Sequence, residues 1–410
     1  MNFKRNFRIL FSGTALGYAA SVLGLPILTR IYSPEVFEEL GILTALVAIC
    51  SSFMTGRLHI AIPLTKSLTD KVALFQISHI FIVFFGLLTF IVLYVVLPIF
   101  IQNTNLSLIL YCTIVASIGM AVYNINIFWV NSQNDYSAIA TTKYIRAIMG
   151  NGSQIIIGLI SPTFFSLSLG YLIFCFSGIL RLMKTTIKPY RVFGRLKAST
   201  YLRVLKKYKV YPSYSLMENA AINLGLYLPL LIIIANTGPD EGGQFFVASR
   251  VLSIPMLLLG SSVASLYIGH LSSLASEKEV ASLTIRALKK LLIYASVPLI
   301  AIGILSPFVI EMILGSSWDL VGYFIICLCF SSSLQLATSP LAMFFHLTER
   351  VKFVSFLQMI FAFLKVIPLT LCVSYDTGYY IEIFSIMNFV SYLIFGATIF
   401  YSARSLEERC

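Results

Sequence analysis

Long apolar runs, broken by short polar turns, recur along this chain from end to end. A helix rising ~1.5 Å per residue needs roughly 20 apolar residues to cross ~30 Å of hydrocarbon. Runs of that length fall at about residues 9–29, 40–63, 72–101, 106–130, 138–161, 166–184, 212–236, 244–270, 288–314, 320–345, 353–374 and 380–402. No polar stretch between them is long enough for a soluble domain. The pattern predicts an all-α integral membrane protein of twelve transmembrane helices.

Charge tests that count independently. Only 11% of the residues are charged against 58% hydrophobic, too few to cover a soluble surface. The net charge of +12 would suggest nucleic acid in a soluble protein; here it reads as the basic face of a membrane protein, and no nucleic-acid partner is expected. With the N-terminus placed in the cytoplasm, the inner segments take Lys4, Arg5, Arg8, Arg57, Lys66, Lys71, Lys143 and Arg146. They also take the run of cations from Arg181 to Lys209, and then Lys278, Arg286, Lys289, Lys290, Arg350, Lys352, Arg404 and Arg409. Only Arg30, Arg250 and Lys365 fall elsewhere, and the outer loops carry acids such as Glu35, Glu38, Asp240 and Asp376. One miscounted helix would invert every later loop and destroy this segregation. Both termini are therefore expected in the cytoplasm. Most of these cations need no role beyond holding helix ends at an anionic membrane face. The seven cysteines are scattered without a CxxC pair and read as free thiols.

The chain looks internally repeated. "LPILTRIYSPEVFEELG" from Leu25 is echoed by "LPLLIIIANTGPDEGGQ" from Leu228, about half the chain later. An even number of spans per half makes this a parallel repeat: two six-helix bundles related by a pseudo-twofold axis along the membrane normal. The expected organisation is an N-terminal bundle over 1–184, a basic cytoplasmic linker over 185–209, a C-terminal bundle over 210–402 and a tail over 403–410.

Polar residues inside spans are the functional candidates, because hydrocarbon makes them costly. Lys365, in "AFLKVIPLT", lies too deep to reach the interface easily and is expected to face a cavity. Arg250 either faces a cavity or reaches the outer interface, and Arg57 and Arg146 lie toward inner helix ends, where anchoring is an equal reading. Arg30 caps the outer end of the first span and reads first as architectural. Glu218 shares one broad side of the seventh span with Asn219 and Asn223, a face too polar for lipid; it either holds an ion or forms a buried salt bridge. Asn124, Asn126, Gln154 and Gln358 serve either a cavity or helix–helix contacts. No P-loop, metal-ligand cluster or acidic pair suited to glycosyl chemistry is present in the sequence, so neither an enzyme nor a bound cofactor is expected.

Four segments resemble bacterial O-antigen and capsule repeat-unit flippases, of the multidrug/oligosaccharidyl-lipid/polysaccharide exporter superfamily. They are "GTALGYAASVLGLPILTRIYSPEVFEELG", "TTKYIRAIMGNGSQIIIGL", "YKVYPSY" and "GPDEGGQFFVASRVLSIPMLLLGSSVASLY". The likeness covers Ser12 to about Ser273 and rests on helix count beyond. It implies a MATE-like fold and outward movement of a polyprenyl-pyrophosphate-linked oligosaccharide by alternating access, coupled to a proton or sodium gradient. Membrane lipids, a polysaccharide polymerase and chain-length machinery are the partners it implies. The resemblance also groups Arg30, Arg57 and Arg250 around a cationic cavity and gives the polar amides sugar hydroxyls to bind. Many relatives read Arg-Tyr-Glu where this chain has Arg57-Leu58-His59, which makes His59, with Glu218, a candidate for ion coupling or gating. A drug or cation antiporter of the same superfamily is the rival reading, and a polymerase or ligase a more distant one. The excess of intramembrane cations over the one clear carboxylate, and the short outer loops, weigh against them.

Overall fold

The computed structural model describes residues 17, 19–100, 105–133, 135–194, 196–271, 277–342, 344–345 and 350–409. The Met1–Arg8 cations lie outside the described residues. Among those residues, ten helical segments are long and apolar enough to cross a membrane. Two further helices take the remaining expected positions: α1 (Ala19–Ile31), only partly described, and α5 (Tyr136–Ile160), which carries Lys143, Arg146 and Gln154. The chain is a multi-pass, all-α membrane protein.

It divides into two compact units, residues 1–227 and 228–410. The first holds α1, α2 (Pro34–Met54), α3 (Leu68–Phe100), α4 (Leu106–Ser132), α5, α6 (Phe164–Phe176), α7 (Ile179–Phe193), α8 (Ala198–Lys207) and the start of α9 (Leu216–Asn236). The second holds the rest of α9, α10 (Pro239–Leu271), α11 (Glu277–Leu291), α12 (Val297–Leu314), α13 (Asp319–Thr338), α14 (Val351–Ser374) and α15 (Tyr380–Arg409).

The apolar positions sort by solvent. On α3, Ile80, Val83, Phe84, Leu87, Leu88 and Ile91 are exposed and recur at helical spacing, which makes one stripe for lipid. The opposite side of that helix supplies Val72, Phe75 and Ile82 to a core with Met54, Leu58, Ile125, Trp129, Leu182 and Val204. In the second unit, Tyr267, Leu288, Phe344, Phe345, Phe361 and Phe395 form the corresponding core.

Lipid is as apolar as leucine, so helices associate through close packing and hydrogen bonds rather than through the hydrophobic effect. Both units show this. A Cβ on Gly170 of α6 would meet Gln154 of α5, its backbone nitrogen at 2.9 Å. In the second unit a Cβ on Gly322 of α13 would lie 2.6 Å from Pro307 Cα of α12. Ser306 donates to the Gly322 carbonyl at 3.0 Å, and Ser296 to the Ser333 carbonyl at 2.9 Å, so hydrogen bonds stitch the same pair.

The basic linker is helical, which its charge pattern did not announce. α8 packs on α3 through Val204, while Arg203, Lys206 and Lys207 stay exposed. Asp70, at the start of α3, accepts from Lys207 at 2.6 Å and Arg203 at 3.4 Å. The hydrogen bond to Asp70 holds the Lys207 ammonium above the ordinary lysine range. Tyr201 donates to Gln76 Oε1 at 2.6 Å, and the Gln76 amide donates to the Gly194 carbonyl at 2.6 Å. Two cations expected to hold helix ends at the membrane face, Arg203 and Lys207, are thus also fastened to the bundle.

Substituting Gly322→Ala should destabilise the purified protein by about 1–3 kcal/mol through overpacking against the α12 backbone. Gly86→Ala, where nothing lies within 4 Å of the added methyl, should leave the melting temperature unchanged or raised. Thermal unfolding in detergent compares the two.

Candidate transport site

α2 ends early. Its last helical residue is Met54, and Gly56 and Arg57 follow with φ of 54° and 58°. Two consecutive left-handed residues stop an α-helix and turn the chain into the 3₁₀ segment Leu58–Leu64. Gly56 suits its place twice over: its φ favours glycine, and a Cβ there would sit 2.6 Å from the Phe81 ring. Arg57 has no such excuse. A non-glycine residue at positive φ is strained, and such strain persists where surrounding contacts over-determine it.

Those contacts come from the start of α9. The π-helical turn Tyr211–Ser215 precedes that helix and re-aims its first residues. Ser215 Oγ accepts from Arg57 Nε at 3.4 Å, and the Glu218 carboxylate acts electrostatically on the same guanidinium. His59 lies two residues further on, 6% exposed, with Nδ1 unpartnered among the described residues and its ring edge-on to Phe128 of α4 at 4.8 Å. Asn124 is one helical turn from Phe128 and half-buried. On α9, Asn223 donates to the Asn219 carbonyl at 2.8 Å, and both residues are half-buried. Arg57, His59, Ser215 and Glu218 therefore form one constellation inside the first unit, with the Asn124 face of α4 and the Asn219 face of α9 adjoining it in sequence.

Other expected residues are held in packing. Arg146 is 6% exposed and lies between the Tyr123 ring, 3.8 Å away, and the Phe174 ring at 4.2 Å. Its Nε donates to the Phe174 carbonyl at 3.0 Å. Asn126 is 1% exposed; its amide donates to the Val122 carbonyl and its oxygen accepts from Thr186 at 3.0 Å. Gln154 donates to the Leu167 carbonyl at 3.2 Å, and its own backbone carbonyl accepts from Tyr32 at 2.7 Å. Apart from the Asn126–Val122 bond within α4, these contacts cross between helices of one unit. Arg30 is exposed in the last turn of α1.

In the second unit, Arg250 is half-buried on α10 and Gln358 half-buried on α14. Lys365, two turns beyond Gln358, is 5% exposed with its ammonium 4.7 Å from the Tyr392 ring centroid. Ser215 and Tyr392 were missed in the sequence. Ser215 precedes Glu218 at helical spacing, a signal that was there to read, whereas Tyr392 is brought to Lys365 only by the packing of α14 on α15.

The family described as "polysaccharide biosynthesis protein" matches residues 27–322. The chain belongs to that family. No curated protein matches it at a significant level. Among solved structures, the lipid II flippase MurJ in an inward closed conformation aligns with a TM-score of 0.74 at 14% identity, over 97% of this chain and 87% of that one. An inward-facing multidrug resistance MATE transporter of the MOP superfamily gives 0.62 at 11% identity, over 97% and 96%. The Vibrio cholerae MATE transporter VcmN gives 0.60 at 12% identity, over 99% and 96%. At such identities the likeness is one of fold: this member of the polysaccharide biosynthesis family has a MATE-like fold. Among the described residues no cluster of three or more His, Cys, Asp or Glu side chains is arranged to hold a metal ion.

The strain at Arg57 has a direct consequence for this family member. Arg57→Gly and Arg57→Ala both remove the guanidinium, but glycine accepts the left-handed backbone. The glycine variant should be more stable than the alanine variant by about 1 kcal/mol. Equal melting temperatures for the two purified variants would show that the backbone there relaxes.

Proposed function

We propose that this protein is a flippase moving a polyprenyl-pyrophosphate-linked oligosaccharide, an O-antigen or capsule repeat unit, from the cytoplasmic to the outer leaflet of the bacterial inner membrane. It works by alternating access and draws on a proton or sodium gradient. Both termini are cytoplasmic in this reading, and a polymerase and chain-length machinery receive the product. Family membership supports the pathway class, and the fold supports a transporter rather than an enzyme.

The observation that carries the cargo reading is the state of Arg57. Sugar and pyrophosphate cannot cross hydrocarbon without a polar path, because their desolvation is prohibitive. A phosphate needs a cation with planar, multiple donors, and arginine supplies them. Arg57 is half-buried and strained, holding Ser215 at long range and facing one carboxylate. A pyrophosphate carries more charge than Glu218 and competes for the same donors. Its arrival releases Glu218 and loosens the start of α9 from the α2 break. Cargo binding and helix release are then one exchange, and Glu218 acts as the gate that rejoins Arg57 when the cargo leaves. Asn124, Asn219 and Asn223 lie on adjoining helical faces and offer hydroxyl partners to the sugar. His59 and Glu218 were the sequence candidates for ion coupling; both sit against the Arg57 charge.

The antiporter reading shares the fold and would favour carboxylates at the site. The intramembrane cations Arg57, Arg250 and Lys365 outnumber Glu218, which favours an anionic cargo.

The deciding experiment uses cells lacking this gene but still making the lipid-linked repeat unit. In sealed spheroplasts, single repeat units should accumulate in a form protected from an impermeant sugar-modifying probe. Complementation should make them accessible, and Arg57→Ala should restore less than a tenth of that effect, a loss of about 1.4 kcal/mol or more in transition-state terms. Accumulation of accessible units would instead place the block at polymerisation or ligation, and no accumulation would favour the antiporter.

A further inference from the structure

Lys365 stands apart from the Arg57 constellation. It lies in the second unit, about 21 Å along α14 from its start and ~14 Å from its end by helical rise. The side chain is almost fully buried, and its one described contact is the face of Tyr392 on α15. Among the described residues no carboxylate pairs with it and no other charge acts on it. The acids of α15, Glu382 near its start and Glu407 and Glu408 at its end, lie about 15 Å or more along the helix from Tyr392. α14 itself carries no acid. A ring face recovers only part of the hydration an ammonium loses on burial.

Two polar gaps lie close by. Pro368 removes the helical N–H that would have bonded the Leu364 carbonyl, so α14 has an acceptor without its helical donor next to Lys365. Asn388, one turn before Tyr392 on α15, gives its amide to Ser331 at 3.1 Å and keeps a buried side-chain oxygen with no partner among the described residues. A sealed helix pair therefore contains a titratable amine, a ring that tolerates it, and acceptors that an ammonium would use. The other two titratable candidates, His59 and Glu218, belong instead to the Arg57 constellation of the first unit.

We propose that Lys365 carries the coupling proton of the transport cycle. The side chain is a neutral amine while sealed against Tyr392. When α14 opens to water on the proton-rich side, the nitrogen lone pair takes up one proton, and the ammonium finds the Asn388 and Leu364 oxygens. Opening to the other side returns that proton to water, and no other bond is made or broken. The purpose of this step rests on the transport reading above; its chemistry does not.

Two measurements test it. In lysine-labelled protein in nanodiscs, the ¹³Cε resonance lost in Lys365→Met should report a neutral amine at a pH where the surface lysines are still charged. Titration together with the surface lysines would overturn the proposal whatever the cargo. In the spheroplast assay, wild-type flipping should fall at least about tenfold with a protonophore, equivalent to roughly 1.4 kcal/mol in activation free energy. Lys365→Met, inserted at wild-type levels, should flip poorly and no longer respond. A variant that flips and responds like wild type would overturn the proposal, as would wild-type flipping indifferent to the protonophore, although the flippase reading would survive that result. Absence of flipping by the wild-type protein would sink the cargo reading and leave the resonance to decide for Lys365.

Discussion

Hydrocarbon offers no water to take up a lost hydrogen bond, so each polar group inside the membrane must find its partner within the protein. The rest of this structure follows from that demand. Serines return their hydroxyls to carbonyls on their own or a facing helix, as Ser306 and Ser296 do between α12 and α13. Glycines let backbones approach until dispersion and hydrogen bonding replace the hydrophobic drive that lipid cannot supply. Gln154 and Asn126 follow the same rule: the Gln154 amide donates to the Leu167 carbonyl, and Asn126 is satisfied at both ends. Their chemistry would equally suit a sugar, and it is their partners that set them apart from residues such as Asn124.

Against this background an unsatisfied or strained polar group carries information. Arg146 is deeply buried yet comfortable, with two rings, a carbonyl and a thioether around its guanidinium. Arg57 is less buried and less comfortable. Its backbone is held left-handed, its hydrogen bond to Ser215 is long, and its counter-charge is shared with a helix that begins in a π-turn. Both are intramembrane arginines by sequence. Only one has donors disposed for exchange.

The span pattern was legible because periodic apolar length and charge segregation are global properties, and they tolerate errors of several residues at each end. Ten spans, α1 and the polar α5 occupy the expected places. The helix break at Gly56–Arg57 was not legible, since "TGRLH" lies inside an apolar run and contains no proline, and the Phe81 ring that leaves no room for a Cβ at Gly56 comes from another helix. The docking of α8 was hidden for a related reason. Asp70 reads as a charge at the head of a span, and only folding places Lys207 and Arg203 over it, more than a hundred residues later. Glu218 was recognised as anomalous from sequence, as an ion holder or half of a buried salt bridge, but only folding brings it within electrostatic reach of Arg57 at the end of the second helix.

That partner changes what the carboxylate does. A cation meant to hold an anion briefly should be neither free nor permanently satisfied. A free arginine would bind phosphate too tightly to release it, and a bidentate buried pair would never let it in, because breaking such a pair strands a charge. Arg57 lies between these limits. In the proposed cycle, competition between Glu218 and an incoming phosphate sets a moderate affinity, and the left-handed backbone at Arg57 lowers the cost of moving away from the sealed state. In such a site weak contacts serve turnover better than strong ones, which is why Arg57, rather than the well-partnered Arg146, is the one expected to meet the cargo.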